Sequence, residues 1–235
     1  MKRTLAALAL VVALAPAPAR SQSSIVAQIA GDKAATDRLH FSLIFGLNMS
    51  YLTGTVDTGR TGGFNAGFSA TIRLTERLSL VPGITPFSQK GVSKIPFVTT
   101  GDPALDPFFA DPAESELSLT YADIPVLVMY RLGRLEFGAG PFVGLLSKAR
   151  ERFRADLPSE EELQYARKVT DHYKKTDFGL AFEVSWTIAK PRRGMGLLFH
   201  LRYQAGLLDV LETPGPSGPL RNSVIQAYLS FPFVH

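Results

Sequence analysis

The stretch "HFSLIFGLNMSY", residues 40–51, alternates apolar and polar side chains along almost its whole length. One face carries Phe41, Leu43, Phe45, Leu47, Met49 and Tyr51, and the other carries His40, Ser42, Gly46, Asn48 and Ser50, with Ile44 as the apolar exception. A period of two predicts a β-strand. The apolar face either covers the core of a soluble sheet or meets lipid on the outside of a transmembrane barrel.

Seven later segments repeat the alternation, so the sequence predicts eight strands. They are residues 62–74, 77–91, 115–132, 134–148, 175–188, 194–208 and 222–233. In residues 115–132 the apolar set begins with Leu117, Leu119 and Tyr121 and changes phase near Asp123, which predicts a bulge at that point.

The connections between these segments alternate between short and long. Short ones fall near 75–76, 133 and 189–193, and long ones span 52–61, 92–114, 149–171 and 210–221. An even strand count with loops sorted by length is typical of outer-membrane barrels. The predicted fold class is therefore all-β, an eight-stranded antiparallel transmembrane up-and-down β-barrel with short periplasmic turns and longer extracellular loops.

The amino terminus predicts export. Lys2 and Arg3 precede an apolar run at 5–14, and small residues follow at 16–21. Residues 1–21 are interpreted as a Sec signal peptide cleaved near residue 21, 22–39 as a periplasmic segment and 40–235 as the barrel domain. The apolar run is shorter than the roughly 20 residues that a spanning helix needs.

Charge and cysteine content exclude several classes of protein. The formal net charge is +4, and it falls to about +1 once the three basic residues of the signal peptide are removed, which gives no support for nucleic-acid binding. The chain has no cysteine, so neither disulfides nor thiol chemistry is available. We predict the outer membrane of a Gram-negative bacterium as the location.

Charged and amide side chains lie opposite the apolar faces. Inside an eight-stranded barrel they would fill the space between the strands, where charges must pair. We therefore predict a packed polar interior instead of an open pore. The predicted interior network consists of Arg73, Glu136, Glu183, His200, Arg202 and Gln204.

Several segments together resemble an outer-membrane β-barrel family that includes the PorT proteins of Bacteroidetes-type bacteria. The matching stretches are "SLVPGITPFSQKG" (79–91), "YADIPVLVMYRL" (121–132), "FGAGPFVGLLSKAR" (137–150) and "KTDFGLAFEVSW" (175–186). The resemblance implies an eight-stranded barrel over roughly residues 40–233 and, through PorT, a link to a secretion apparatus. It brings no catalytic residues. The last segment, "AYLSFPF", is similar to the carboxy-terminal assembly signal of such barrels.

Two long loops carry charge. Residues 99–116 hold Asp102, Asp106, Asp111, Glu114 and Glu116, whose spacing does not fit an EF-hand and is better explained by turn formation than by Ca²⁺ binding. In the loop 149–171, "PSEEE" at 158–162 predicts the start of a short surface helix. Arg150, Arg152 and Arg154 are candidate contacts for lipopolysaccharide phosphates.

The chain is predicted to be a structural or surface-interaction protein and not an enzyme, with no cofactor and no metal site. Expected partners are outer-membrane lipid and lipopolysaccharide, the outer-membrane assembly machinery, and surface or secretion partners reached through loops 92–114 and 149–171. Three alternatives stay open: a secretion accessory, a lipid-modifying hydrolase using Ser185, His200 and Glu183, and a soluble lipocalin-like barrel that binds an apolar ligand. In the last, the apolar faces would point inward. A histidine satisfied by Glu183 or Glu136 is the simpler expectation for His200.

Overall fold

A computed structural model describes residues 38–54, 59–95, 99–109, 114–156, 162–190, 194–212 and 219–234. The strands are β1 (Leu39–Thr53), β2 (Gly59–Arg73), β3 (Leu78–Ser93), β4 (Glu114–Leu132), β5 (Leu135–Asp156), β6 (Glu162–Lys168), β7 (Thr176–Ala189), β8 (Gly194–Met195), β9 (Leu197–Gly206) and β10 (Arg221–Val234), with 3-10 turns at Asp106–Phe109 and Thr170–His172. No helix within these ranges is long and apolar enough to span a membrane.

The sheet closes on itself because β1 pairs with the last strand, β10. Phe41 lies opposite Phe233, and the pairing continues to Thr53 opposite Arg221. The ring runs β1-β2-β3-β4-β5-β7-β9-β10, with β8 preceding β9 on the edge of β10 and β6 paired only to β5. All neighbours are antiparallel, so the predicted eight-stranded antiparallel barrel is confirmed. The predicted signal peptide lies outside the described residues and stays a prediction.

The apolar face of β1 points outward, toward lipid, and its polar face points into the barrel. Phe45 and Leu47 are 53% and 62% exposed, whereas Asn48 and Ser50 are buried in the interior. The interior also receives Ile44, the exception in the pattern. A lipocalin-like barrel requires the opposite arrangement, so that alternative is wrong.

The apolar outer surface has the height of a bilayer core. On β5 the outward side chains from Leu135 to Leu145 are apolar, with Phe137 and Leu145 about half exposed. A strand of that length, rising ~3.4 Å per residue and tilted by ~40°, spans about 25 Å, which is the usual apolar band of such barrels. Trp186 lies opposite Leu135, at the end where the short turns are.

The predicted bulge in β4 is wrong in position. Odd-numbered residues of β4 stay buried from Ser115 to Met129, so this strand does not change face. One extra residue lies in β5, where Tyr121 pairs with Leu146 but Thr120 pairs with Lys148, and another lies in β3, where Thr85 pairs with Asp123 but Ser88 pairs with Tyr121. Because of the bulge in β3, Phe87 points outward and the residues that follow it exchange faces.

The upper half of β4 is apolar on the inside for a physical reason. There Leu117, Leu119 and Tyr121 lie beyond the lipid band and pack inside the barrel with residues of five other segments. The upper apolar cluster, as it is called below, contains Leu52, Val92, Leu117, Leu119, Tyr121, Ala149, Val169, Tyr173 and Val210.

The loop 149–171 is mostly a β-hairpin, so the expected helix is wrong for residues 162–168. Those residues form β6 and pair with Arg150–Asp156 of β5, while 157–161 lie outside the described residues. The hairpin buries Phe153 against Phe109 and the ring of Tyr165. Arg154 pairs with Glu162 across the hairpin.

Candidate functional site

The lower part of the interior, near the short turns, contains a charged network centred on Glu183 of β7. Its Oε2 accepts hydrogen bonds from Arg202 Nε at 2.6 Å and from the Tyr228 hydroxyl at 2.6 Å. Its Oε1 lies 2.8 Å from His200 Nδ1. The charges of Glu183 and Arg202 therefore cancel in a region where an unpaired charge would be costly.

His200 is held on both sides of its ring. Its Nε2 lies 2.7 Å from the hydroxyl oxygen of Ser230. The imidazole stacks on Tyr228 with ring centroids 4.4 Å apart and planes 4° from parallel. Together Ser230, His200 and Glu183 form a continuous hydroxyl–imidazole–carboxylate chain, in the order found in hydrolytic triads.

The structure brings only part of the predicted interior network together. His200 and Arg202 each contact Glu183 directly. Glu136 instead binds Arg131, whose Nε lies 2.6 Å from Glu136 Oε1. Arg73 Nε and both amide atoms of Gln204 are buried without a hydrogen-bond partner among the described residues, and Gln204 is fully buried.

The serine named with His200 in the sequence is not the one that binds it. Ser185 lies opposite His200 in the β7–β9 ladder, but its buried hydroxyl has no hydrogen-bond partner among the described residues. The ring nitrogen turns instead toward Ser230 of β10. The sequence does contain a signal for this, because Ser230 belongs to the polar face of the last strand.

A cavity of about 260 Å³ opens beside this network at the short-turn end. Ser230, His200 and Arg202 line it, together with Arg73 and Lys190. The charges of Arg131 and Arg202 are neutralised by Glu136 and Glu183. Arg73 and Lys190 therefore give the lining an excess of positive charge.

A further ion pair, which the sequence did not predict, lies halfway along the barrel. Lys90 Nζ lies 2.9 Å from Asp123 Oδ1, and both side chains are fully withdrawn from solvent. The ammonium also lies 4.7 Å from the ring centroid of Tyr121 and 5.1 Å from that of Phe142. Asp177, a neighbouring interior acid, accepts a hydrogen bond of 2.9 Å from Asn222. Asp123 interrupts an otherwise apolar stretch of β4, and a buried acid of this kind indicates that a cation lies beside it.

The interior thus has three levels between the short turns and the long loops. The Glu183 network is lowest, the Lys90–Asp123 pair lies above it, and the upper apolar cluster closes the far end. Leu117, Leu119 and Tyr121 have essentially no exposed surface. Side chains therefore fill the cross-section at each level above the cavity.

The acidic loop before β4 uses its carboxylates for local turns. Asp106 accepts hydrogen bonds from the Thr100 hydroxyl at 2.6 Å, the Thr100 backbone N–H at 2.7 Å and the Thr99 hydroxyl at 2.8 Å. These bonds favour the charged form and hold the pKa of Asp106 below its usual value. Asp111 lies outside the described residues. Among the described residues, no cluster of three or more acids or histidines is arranged to hold a metal.

The three candidate lipopolysaccharide arginines differ in their surroundings. Arg154 lies 2.7 Å from Glu114 and also pairs with Glu162, and Arg152 lies 4.0 Å from Glu116. Arg150 is directly opposite Lys168 in the β5–β6 hairpin. Lys148 is exposed on the same strand, two residues nearer the lipid band. Lys148, Arg150 and Lys168, called the cation row below, form no ion pair among the described residues.

A closed antiparallel barrel with an apolar outer band and a polar interior is the architecture of outer-membrane β-barrel proteins. The chain belongs to the outer membrane protein beta-barrel domain family, whose model matches residues 22–212. Membership implies the outer membrane of a Gram-negative bacterium. No curated protein matches the chain in sequence.

Solved structures that the chain is similar to are also outer-membrane barrels. OprG of Pseudomonas aeruginosa is 10% identical, with 87% of this chain and 100% of OprG covered at a TM-score of 0.42. Ail of Yersinia pestis is 6% identical, with 83% and 99% covered at a TM-score of 0.38. CarO of Acinetobacter baumannii is 10% identical, with 81% and 97% covered at a TM-score of 0.39. Nothing about activity or partners follows from similarities of this size.

Proposed function

We propose that this protein is a non-conducting outer-membrane barrel that anchors an extracellular surface for contacts with lipopolysaccharide and other surface molecules. The observation that carries the proposal is the closure of the interior by the upper apolar cluster. Leu119 and Tyr121 of β4 lie against Val92 of β3 and Ala149 of β5 with essentially no exposed surface. Side chains that fill a small barrel leave no water-filled path for solutes.

Conductance across a planar lipid bilayer tests this proposal. The full-length protein is expected to give no stable single-channel steps in concentrated KCl. A Leu119→Ala/Tyr121→Ala variant removes two of the sealing side chains and is expected to conduct intermittently. Stable channels from the unaltered protein would contradict the proposal.

The cation row supports contact with lipopolysaccharide. Like charges directly opposite one another in a ladder repel, and Arg150 and Lys168 face each other without an acid to separate them. The row begins just beyond Leu145, the last exposed apolar side chain of β5. Phosphates of lipopolysaccharide would lie at that level and would neutralise the repulsion.

Matched double variants separate this site from general electrostatic attraction. Arg150→Gln/Lys168→Gln and Arg152→Gln/Arg154→Gln remove the same charge from the same hairpin. Thermal unfolding is measured in detergent with and without added lipopolysaccharide. The first pair is expected to lose the stabilisation that lipopolysaccharide gives, and the second is expected to retain it. Equal losses from both pairs would count against a specific site.

A role as an accessory in protein secretion rests on the resemblance to the PorT-containing family. The loop 99–109 offers two half-exposed apolar side chains, Leu105 and Phe108, that a surface partner could cover. Crosslinking from Phe108 in whole cells, with Leu74 at the opposite end of the barrel as the control position, tests for such a partner. A crosslink to a secretion component that is absent from position 74 would support the role.

A further inference from the structure

We infer that Ser230, His200 and Glu183 form a hydrolytic triad that cleaves small anionic acyl esters entering from the short-turn end of the barrel. The contacts follow the required order. The Ser230 hydroxyl lies 2.7 Å from His200 Nε2, and His200 Nδ1 lies 2.8 Å from Glu183 Oε1. A nucleophile within reach of a base that a third group orients is the arrangement that activates serine.

The surroundings of Glu183 select the tautomer that the reaction needs. Arg202 and Tyr228 both donate to Glu183 Oε2, which fixes this carboxylate as an acceptor. Its Oε1 therefore accepts from Nδ1–H of His200, and Nε2 is left with a lone pair that accepts the Ser230 proton. Stacking on Tyr228 keeps the imidazole plane in this orientation.

Ser230 and His200 line the 260 Å³ cavity, so the nucleophile and the base border a space that a small substrate can enter. Ser185 is buried next to the same histidine but does not line the cavity. The cavity lies inside the barrel and not on its lipid-facing surface, which favours a water-soluble ester over a membrane lipid.

The charge of the lining determines the substrate class. The charges in the pairs Arg131–Glu136 and Arg202–Glu183 cancel. The net positive charge of the cavity lining therefore comes from Arg73 and Lys190. A carboxylate or phosphate on the substrate would neutralise it. Arg73 Nε is buried and has no partner among the described residues, so it is a donor available to this anionic group.

The reaction is a two-step acyl transfer. Ser230 Oγ attacks the ester carbonyl carbon while its proton passes to His200 Nε2. The bond to the alkoxy oxygen then breaks, the alcohol leaves with that proton, and the acyl group stays on Ser230. A water molecule from the cavity attacks the acyl carbon, gives one proton to His200, and releases the acid as Ser230 regains its proton. Water is the only co-reactant.

A fluorophosphonate probe tests the nucleophile without knowledge of the natural substrate. The full-length protein, folded in detergent micelles, is expected to be labelled at Ser230, as located by peptide mass spectrometry. Ser230→Ala is expected to lower labelling at least ~100-fold, and Ser185→Ala, the neighbouring buried serine, is expected to leave it unchanged. Heat-modifiable gel mobility shows that each variant has folded.

Ester hydrolysis tests the substrate class with the same three proteins. The mono-4-nitrophenyl ester of succinic acid is expected to be cleaved with a higher kcat/KM than 4-nitrophenyl acetate. The rate compared is that of the unaltered protein after the rate of Ser230→Ala has been subtracted. No labelling of the folded protein, or labelling that survives Ser230→Ala, would overturn the triad. Preference for the neutral ester would overturn the assigned substrate class.

Discussion

Lys90 and Asp123 form an ion pair of 2.9 Å that no solvent reaches, with side-chain exposures of 0% and 1%. They lie on adjacent strands: the bulge in β3 turns Lys90 inward, and the unbroken alternation of β4 turns Asp123 toward it. Their pairing therefore depends on the bulge. A barrel without that extra residue would place Lys90 on the outer surface.

Removing one partner of this pair should destabilise the barrel strongly. Lys90→Met leaves Asp123 buried without its cation, and breaking a buried ion pair in this way costs about 3–5 kcal/mol. The free energy of unfolding in urea, measured in lipid vesicles, is the test. Lys90→Met/Asp123→Leu should restore most of the loss, because two apolar side chains need no partner. A double variant no more stable than the single one would show that the pair is not the source of the cost.

The loss of stability caused by a charge on the outer surface should depend on the depth of that position in the membrane. Phe182 of β7 is half exposed near the middle of the apolar band, and Leu132 is 60% exposed beside a short turn. Phe182→Arg is expected to cost about 2–4 kcal/mol in lipid vesicles and Leu132→Arg about 0–1 kcal/mol. Equal costs at the two positions would contradict the assignment of the lipid band.

The sequence predicts the strands and their outer faces well because lipid imposes the same rule on every strand. Phe45, Phe137 and Phe182 belong to the alternating apolar sets of their strands, and each is about half exposed on the outer surface. Alternation alone does not predict which way an apolar side chain points where a strand extends beyond the lipid band. The change of face predicted for β4 is therefore wrong, since Leu117 and Leu119 are apolar and yet point inward.

Contacts inside the barrel could be predicted only in part, because they depend on how distant strands pair. Glu183 and Arg202 were identified as interior residues from their face, and the β7–β9 ladder places them directly opposite each other. The partner of His200 on its other side, Ser230, comes from the strand that closes the barrel. Lys90 was missed because a single-residue bulge reverses the face, and no feature of "TPFSQKG" marks that bulge uniquely.

The loop before β4 should loosen in acid. Hydrogen bonds from Thr100 and Thr99 hold the pKa of Asp106 below its usual value. A carboxyl with a lowered pKa stabilises the folded loop above its unfolded pKa, near 4, and that contribution is lost as pH falls through the lower folded value. Amide hydrogen-exchange protection of residues 101–106 is expected to fall below about pH 4.

The Asp106→Asn variant is the control for this pH dependence. Its loop should be less protected than the unaltered loop at neutral pH, and its protection should not change between neutral pH and pH 3. Thr100→Val, which removes the hydroxyl that bonds Asp106 most closely, should shift the acid transition of the loop toward higher pH. A transition that persists unchanged in Asp106→Asn would assign it to another group.

The approach of β1 to β10 should depend on a glycine at position 46. Gly46 lies directly opposite Tyr228, and a Cβ at Gly46 would lie 2.2 Å from the Cβ of Tyr228 and 2.5 Å from the Ala227 carbonyl oxygen. Because these neighbours belong to the closing ladder, Gly46→Ala must push the two strands apart, at a cost of about 1–3 kcal/mol. Gly62 in β2 has no atom within 4 Å of an added Cβ, so Gly62→Ala should change stability by less than about 0.5 kcal/mol.

Tyr228 stacks on His200, and the Gly46 variant should therefore also lower fluorophosphonate labelling of Ser230, whereas the Gly62 variant should not. Urea unfolding and labelling measured on the same preparations check both expectations, and equal behaviour of the two variants would contradict the tight β1–β10 contact.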